Sequence, residues 1–331
     1  MPRARDLGVV IGYLPPGPRN AITDVAGVAV GHVTLIEGDR TRTGVTAVLP
    51  HGGNVFQDKV PAGFAVLNGY GKFAGSTQIE ELGEIETPIL LTNTLAVGRA
   101  IEALVAHTLA ANPMATSVNA MVGETNDSRL NDIRAARPSV AEMRAALDAA
   151  VPGPVGEGAV GAGTGTVAFG QKGGIGTSSR RVGDWMLGVL VQANYGGRLR
   201  VDGVAPQAPE HDADGSIVIL LATDAPLCPR NLKRLASRAF GGLARTGAAL
   251  SNGSGDYALA FSTHDGVRRS PAARAAVTPV PVLPNELCSP LFEAAIEATE
   301  EAILNALFMA GDMQGWNAGT GQPEFVPGLK S

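Results

Sequence analysis

Glycine is the residue that most constrains how this chain can fold. It occupies 43 of the 331 positions, roughly twice its usual frequency of about 7%. The glycines stand among alanine, valine, leucine and threonine, so they do not form the polar tracts of a flexible linker. Aromatic residues make up only 5% of the chain. Together these features predict sheets and helices whose backbones pack unusually close to one another or to a ligand.

Composition and charge exclude several classes of protein. Hydrophobic residues form 45% of the sequence, so the chain has enough apolar material for a core and disorder is not its main state. The 26 basic and 31 acidic residues give a net charge of −5 without a block of like charge. We therefore expect no nucleic-acid partner and no anionic-membrane partner.

The sequence also lacks the usual signals for membranes, secretion and metals. No apolar run reaches the roughly 18–20 residues that a membrane span requires. The short apolar stretch near the N-terminus meets Pro15 and Pro16, which leaves no signal-peptide core, so we expect a cytoplasmic protein. The five histidines show no metal-binding spacing, and neither Cys228 nor Cys288 belongs to a paired metal motif. We therefore expect no metal and no cofactor.

Local patterns predict a layered α/β protein. Strands come in clusters on either side of helical segments, which favours paired sheets over a strictly alternating βαβα chain. A proline-rich and acidic segment at 204–215 predicts an exposed insertion loop. Strands are predicted at residues 27–35, 44–50, 62–68, 87–93, 185–194, 216–223 and 257–263, and helices at 97–109, 140–151, 231–246 and 290–311.

The glycine-rich segment at 156–176 invites comparison with a phosphate-binding loop. The required G-x-x-x-x-G-K-[ST] pattern is absent, because Lys172 follows Gln171 rather than glycine. Gly161-Ala-Gly163 leads into Thr-Gly-Thr, which is not the start of a dinucleotide-binding helix. The segment favours a structural strand and turn, and nucleotide binding is the alternative.

Two polar segments carry candidate chemistry. Residues 124–132 concentrate carboxylate and amide side chains, which is typical either of an Asx-rich turn or of a pocket wall whose Glu124 holds a cationic group. The second segment, Ser251-Asn-Gly-Ser-Gly, lies between a predicted helix and a predicted strand. It is typical of an ordinary loop, but cleavage before Ser251 would place an α-amine beside Oγ. That amine, with a pKa near 7.7–8.0, could act as the base without histidine or metal.

The chain resembles the family of L-aminopeptidase/D-amidase/esterases and β-peptidyl aminopeptidases, which are self-processing N-terminal-nucleophile-like hydrolases. The resemblance extends over most of the chain, from about residue 20 to about residue 310, and no single motif carries it alone. The matching motifs are Ile22-Thr-Asp-Val-Ala-Gly-Val-Ala-Val-Gly-His, Leu67-Asn-Gly-Tyr-Gly-Lys, Glu80-Glu-Leu-Gly-Glu-Ile-Glu-Thr-Pro-Ile, Leu91-Thr-Asn-Thr, Val189-Leu-Val-Gln-Ala-Asn-Tyr-Gly, Ala222-Thr-Asp-Ala-Pro-Leu and Ser251-Asn-Gly-Ser-Gly-Asp.

The resemblance implies a four-layer αββα sandwich whose connectivity differs from that of other N-terminal-nucleophile hydrolases. It implies a single domain, 1–331, cut by autocatalytic cleavage into a large chain, 1–250, and a small chain, 251–331. The processed pairs would assemble as a homo-oligomer, a tetramer. The implied substrates are short peptides, amides or esters with a free amine, including D- or β-residues.

The resemblance also assigns site residues. It implies Ser251 as the nucleophile, Glu286 as its acidic partner, Asn194 as the oxyanion donor and Glu124 as the carboxylate that meets the substrate amine. Some relatives carry a serine two residues before the acid, where this chain has Pro284.

The cleavage site differs from that of relatives, which are cut after glycine or asparagine. Leu250 precedes Ser251 in this chain. Because such cleavage depends on strained backbone rather than on that side chain, we expect leucine to be tolerated.

Two further functions are alternatives to the serine aminopeptidase. One is a hydrolase of synthetic amide oligomers, against which the serine argues, since those relatives use threonine. The other is a non-catalytic, unprocessed homologue with the same fold.

Overall fold

The computed structural model of the protein describes residues 1–204 and 215–329. Of the insertion loop predicted at 204–215, residues 205–214 lie outside the described residues. In chain order the strands are β1 (Ala29–Glu37), β2 (Thr41–Leu49), β3 (Val60–Gly69), β4 (Glu84–Ile85), β5 (Ile89–Asn93), β6 (Met121–Thr125), β7 (Val167–Ala168), β8 (Gln171–Lys172), β9 (Gly174–Val182), β10 (Trp185–Asn194), β11 (Ser216–Thr223), β12 (Gly255–Ser262), β13 (Met313–Asn317) and β14 (Gln322–Val326). The helices are α1 (Ser76–Leu82), α2 (Val97–Ala111), α3 (Val140–Asp148), α4 (Pro229–Arg245), α5 (Pro271–Ala275) and α6 (Ser289–Phe308).

Two sheets stack face to face at the centre of the molecule. Among the described residues, the larger sheet has the strand order β4-β3-β12-β11-β10-β9 and the smaller one the order β1-β2-β5-β6. Along β12, Tyr257, Leu259 and Phe261 enter the core between the sheets, whereas Ala258 and Ala260 enter the core beneath the helices. This alternation follows from the two-residue period of a strand, and it is why both faces of β12 are apolar.

Helices cover the outer face of each sheet. α4 and α6 pack on the larger sheet, and α2 and α3 pack on the smaller one. The result is the four-layer αββα sandwich that the sequence resemblance implies. Among the described residues, no helix has the length and apolar character needed to cross a membrane.

The unusual glycine content has a direct structural reason in these layers. A Cβ on Gly63 of β3 would lie 2.0 Å from the backbone nitrogen of Lys233 in α4. A Cβ on Gly176 of β9 would lie 1.9 Å from the carbonyl oxygen of Ala302 in α6. Helices therefore rest directly on strand backbone, as the composition predicts, and larger residues at these positions would push the layers apart.

The structure confirms most predicted elements and corrects three details. β11 has the predicted bounds, and α4 agrees with its prediction to within two residues at each end. The helix predicted at 140–151 ends at Asp148, and the helix predicted at 290–311 ends at Phe308. The Asx-rich turn predicted from residue 124 begins later, because Glu124 and Thr125 pair with β5 as the end of strand β6.

Candidate active site

Four neighbouring strands of the larger sheet meet in one row at the edge of the sheet. The strand register aligns Asn194 of β10 with Ser216 of β11, Ser216 with Gly255 of β12, and Gly255 with Gly69 of β3. Because adjacent strands lie about 4.8 Å apart, Asn194 and Gly255 are separated by roughly 10 Å. The predicted nucleophile segment, Ser251-Asn-Gly-Ser-Gly, lies next to this row of residues.

Ser251 opens a tight turn directly before β12. The backbone N–H of Ser254 donates to the carbonyl oxygen of Ser251 at 3.1 Å. Asn68, near the end of β3, donates from Nδ2 to the carbonyl oxygens of Ser251 (3.0 Å), Asn252 (3.1 Å) and Ser254. The side-chain amide of Asn68, on the neighbouring strand, therefore fixes the position of the whole turn relative to the sheet.

Leu250, the residue before Ser251, has a strained backbone. Its φ is +51°, in the left-handed region that costs a non-glycine residue about 1–2 kcal/mol. The chain is fixed just before it, since the N–H of Ala249 donates to the carbonyl oxygen of Gly196 at 3.0 Å. It is fixed just after it by Asn68. The strained residue is thus the one directly before the peptide bond that the sequence resemblance marks for cleavage.

A cavity of about 840 Å³ opens beside this turn. Both sheets contribute to its walls, together with the loops that leave them. The lining residues include Gly69, Tyr70, Gly71, Lys72, Thr94, Glu124, Asn126, Arg129, Val167, Asn194, Ser216, Asn252 and Gly253. Asn194 and Glu124, two of the residues assigned by resemblance, therefore face the same cavity as the nucleophile turn.

Asn194 lies at the end of β10 and is only 7% exposed. Its Oδ1 accepts a hydrogen bond from the backbone N–H of Val167 at 3.0 Å. With the oxygen engaged, Nδ2 has no hydrogen-bond partner in 1–204 and 215–329 and is available to the cavity that the residue lines. This is the orientation that an oxyanion donor requires.

Lys172 holds the loop that orients Asn194. It is completely buried, and Nζ donates to the carbonyl oxygens of Gly163 (2.8 Å), Thr166 (2.8 Å) and Gly173 (2.7 Å). Burial lowers the pKa of Lys172 to about 7. The lysine considered above for a phosphate loop thus serves as an internal support, as the structural interpretation of that segment predicts.

Glu124 reaches the cavity from the smaller sheet. It is 3% exposed, and its Oε1 accepts hydrogen bonds from the backbone N–H and the Nζ of Lys72, both at 3.1 Å. Gly71 lets the chain pass close by, because a Cβ there would lie 3.0 Å from Glu124 Oε1 and 3.2 Å from the Tyr257 hydroxyl. Burial and the charges of Glu124 and Asp256 raise the pKa of Tyr257 to about 12.

Glu286 does not join these residues within one chain. It lies exposed in a short 3-10 helix, Asn285–Leu287. Asn285 accepts hydrogen bonds from Arg230 and Arg234 in the first turns of α4, whereas Ser251 follows the other end of that helix. Since the 17 residues of α4 extend about 25 Å, Glu286 and Ser251 lie at opposite ends of the sandwich.

The fold and this site define a hydrolase of the N-terminal-nucleophile type. The sequence matches the model of peptidase family S58 over residues 20–320. The chain therefore belongs to peptidase family S58, and it is a serine aminopeptidase, a hydrolase acting on amide bonds, as the sequence resemblance implied.

Individual relatives agree with this assignment. The beta-peptidyl aminopeptidase BapA of Sphingosinicella microcystinivorans is 42% identical, over 96% of this chain and 88% of that protein. A beta-aminopeptidase structure from Burkholderia sp. superposes with a TM-score of 0.91 at 44% identity, covering 99% of this chain and 96% of that one. The L-aminopeptidase D-Ala-esterase/amidase of Ochrobactrum anthropi, described as a variant of the Ntn hydrolase fold, gives a TM-score of 0.90 at 38% identity, covering 100% and 96%.

Proposed function

We propose that the chain cleaves itself between Leu250 and Ser251, and that Ser251 then releases N-terminal residues from short peptides, amides or esters. The observation that carries this proposal is the left-handed backbone of Leu250 between two fixed segments. Backbone strain in the residue before the scissile bond lowers the barrier to cleavage when the transition state releases that strain.

In the cleavage step, Ser251 Oγ attacks the carbonyl carbon of Leu250. The C–O bond forms, the C–N bond breaks, and the Oγ proton passes to the nitrogen, so that the two residues are joined by an ester and Ser251 has a free amine. Water then hydrolyses the ester, which leaves a carboxylate on Leu250 and the free Oγ hydroxyl on Ser251. The Asn68 hydrogen bonds hold the Ser251 turn in place through this exchange.

In the catalytic cycle, the new α-amine takes the proton from Ser251 Oγ as the oxygen attacks a substrate carbonyl. The negative charge that develops on the carbonyl oxygen is stabilised by Nδ2 of Asn194. The amine then gives its proton to the leaving group, and water hydrolyses the acyl-enzyme. Ser251 is thus the proposed nucleophile and Asn194 the proposed oxyanion donor, and the described residues show no contact between Glu286 and either of them.

Glu124 provides the basis for recognising a free amino terminus. A buried carboxylate facing a polar cavity attracts an ammonium group, and an acylated substrate would leave that carboxylate without this partner. The cavity volume falls within the range of small-ligand sites. Because relatives at 42–44% identity are named for β-peptides, we include β-residues among the proposed substrates.

The assembly is proposed on the family resemblance alone. We propose a homo-oligomer, a tetramer of processed two-chain pairs, which light scattering on the purified enzyme tests. A cytoplasmic location remains a prediction from the sequence.

Intact mass spectrometry of the purified protein tests the proposed function directly. We expect two chains, 1–250 and 251–331, and only the full-length chain in Ser251→Ala. A single uncut chain that hydrolyses alanyl p-nitroanilide, or a cut elsewhere such as before Ser254, would contradict the proposal.

A further inference from the structure

A buried pair of polar side chains lies beside the nucleophile turn and has no role in the mechanism so far. Ser254 Oγ donates to Asp256 Oδ1 at 2.6 Å, and the two residues are 3% and 1% exposed. The second carboxylate oxygen, Oδ2, is buried and has no hydrogen-bond partner among the described residues. Buried polar atoms are nearly always paired, so an unpaired carboxylate oxygen needs an explanation.

The position of Asp256 points to the segment that is cut. Ser254, whose side chain bonds Asp256, also donates its backbone N–H to the carbonyl oxygen of Ser251 at 3.1 Å. The charge of Asp256 contributes, after burial, to a raised pKa of Tyr195, which packs in the core on the α4 side of the sheet. The Tyr195 hydroxyl is 3.0 Å from Thr246 Oγ1, at the start of the segment that leads to Ser251. The carboxylate is therefore linked through Ser254 to the turn of Ser251, and its charge acts on a tyrosine that contacts the segment leading to that turn.

Cleavage changes the charge at this place. Before the cut, the nitrogen of Ser251 is a neutral amide. After the cut it is an amine that carries a proton at the end of each attack step, and a charge in a low-dielectric site needs an opposite charge nearby. The unpaired Oδ2 of Asp256 is a suitable partner that is already in place in the uncut chain.

We propose that Asp256 is the charge partner of the Ser251 α-amine in the processed enzyme. This inference rests on the proposed function, because the amine exists only after cleavage. As Ser251 Oγ attacks, its proton moves to the amine nitrogen, and the resulting ammonium pairs with the Asp256 carboxylate. Asp256 stays ionised and forms no bond, in the way that the aspartate of a Ser-His-Asp triad stabilises an imidazolium.

Ser254 and Asp256 also offer an alternative to Pro284 and Glu286, since Pro284 has no hydroxyl and Glu286 lies far from Ser251 within one chain. The sequence resemblance implies a hydroxyl and an acid two residues apart, and this chain has proline at the first of those positions. Ser254 and Asp256 have that spacing, are hydrogen-bonded to each other, and follow the nucleophile by only a few residues. Among the described residues, Ser254 and Asp256 thus form a hydrogen-bonded hydroxyl–acid pair next to the turn of Ser251.

The pH dependence of kcat/KM tests this pairing. A nearby carboxylate favours the ammonium form and so raises the pKa of the amine, which sets the acidic limb of the profile. In Asp256→Asn we expect that limb to move to lower pH by about one unit or more. We also expect kcat to fall at least about tenfold, because the ammonium loses its counter-charge. Ser254→Ala removes a hydrogen bond to the Asp256 carboxylate, which makes the carboxylate more basic and its attraction for the ammonium stronger. The acidic limb of this variant should therefore move slightly to higher pH.

Two further variants and the wild type separate the possible outcomes. Asp265→Asn, which removes an exposed carboxylate, should keep the wild-type profile. The inference would be overturned if Asp256→Asn were cleaved and kept the acidic limb of the wild type. It would also be overturned if the acidic limb moved in Glu286→Gln and not in Asp256→Asn. If Asp256→Asn is not cleaved, the test rests on Ser254→Ala. An acidic limb of Ser254→Ala that does not move, or that moves to lower pH, would then overturn the inference. A wild-type protein that is active without being cut would instead contradict the proposed function.

Discussion

The backbone N–H of Val167 donates to Asn194 Oδ1 at 3.0 Å and thereby fixes which end of the Asn194 amide faces the cavity. We expect Asn194→Ala to lower kcat by about 10²-fold or more, since the loss of one oxyanion donor has that effect. Steady-state kinetics with alanyl p-nitroanilide on the folded variant measures it.

Asn194→Asp is the matched control for this prediction. Aspartate still accepts the Val167 hydrogen bond, but it has no N–H to donate and carries a negative charge. It should therefore be at least as slow as Asn194→Ala. If the aspartate variant instead kept nearly full activity, the amide would not be an oxyanion donor.

Glu124 and Lys72 should have opposite effects on substrate binding. Glu124→Gln should raise KM for a free-amine substrate at least several-fold, because the ammonium loses its counter-charge. Lys72→Met removes a half-exposed cation that already pairs with Glu124, so we expect KM to fall. N-acetylated substrates should be hydrolysed negligibly by the wild type. Equal rates on acetylated and free-amine substrates would return Glu124 to a structural role.

The strain at Leu250 predicts an order of processing rates. Glycine adopts a φ of +51° without penalty, whereas a β-branched residue is strained there more than leucine. If cleavage releases this strain, Leu250→Gly should be cut several-fold more slowly than the wild type and Leu250→Val faster. Time-resolved mass spectrometry of freshly refolded protein measures the rates.

The strain at Leu250 can also be measured as a stability difference in a variant that is not cleaved. In Ser251→Ala, adding Leu250→Gly should raise the free energy of unfolding by about 1 kcal/mol. Equal stability and equal cleavage rates for leucine and glycine would show that the left-handed backbone stores no useful strain.

Asp127 predicts a pH dependence of stability. Burial raises its pKa from 3.8 to about 6, although hydrogen bonds with Thr43 and Asn131 and the charge of Lys172 act in the opposite direction. Between these two values the unfolded chain is ionised at this residue while the folded chain keeps its proton. Folding therefore binds a proton there, and the contribution of Asp127 to stability falls as the pH rises from about 4 to 6.

Asp127→Asn removes this dependence. In the uncut Ser251→Ala background, we compare the free energy of unfolding of this variant with that of the parent. The difference in favour of the variant should increase by roughly 1–3 kcal/mol as the pH rises from 4 to 7. Urea denaturation across that range measures the difference, with exposed Asp265→Asn as a control that stays parallel to the parent. A constant difference would mean that Asp127 does not titrate there.

The framework of the sandwich is largely predictable from local sequence. β11 is a run of apolar, β-branched residues buried on both faces, which is a strong strand signal over 216–223. α4 carries its apolar residues on one face and begins at Pro229, so its position is also clear from the pattern. Such elements are determined mainly by the residues within them.

The parts of the site that escaped prediction depend on distant partners. β6 has only five residues, and its strand state comes from parallel pairing with β5. The polar neighbours of Glu124 therefore predict a turn or a pocket wall rather than a strand. Asp256 ends one of the matching motifs, but nothing in the local sequence shows that one of its oxygens is buried without a partner among the described residues. The distance between Glu286 and Ser251 depends on the direction of α4 and β12, which a motif match does not contain.

The place of β12 in the larger sheet gives the proposed maturation a definite order. β12 lies between β3 and β11, so the piece that starts at Ser251 supplies an interior strand. The clamp from Asn68 exists only once β3 and β12 have paired. The proposed self-cleavage would thereby act as a checkpoint on folding: a nascent or misfolded chain would not expose the catalytic amine, and the hydrolase would become active only in molecules that are already correctly folded.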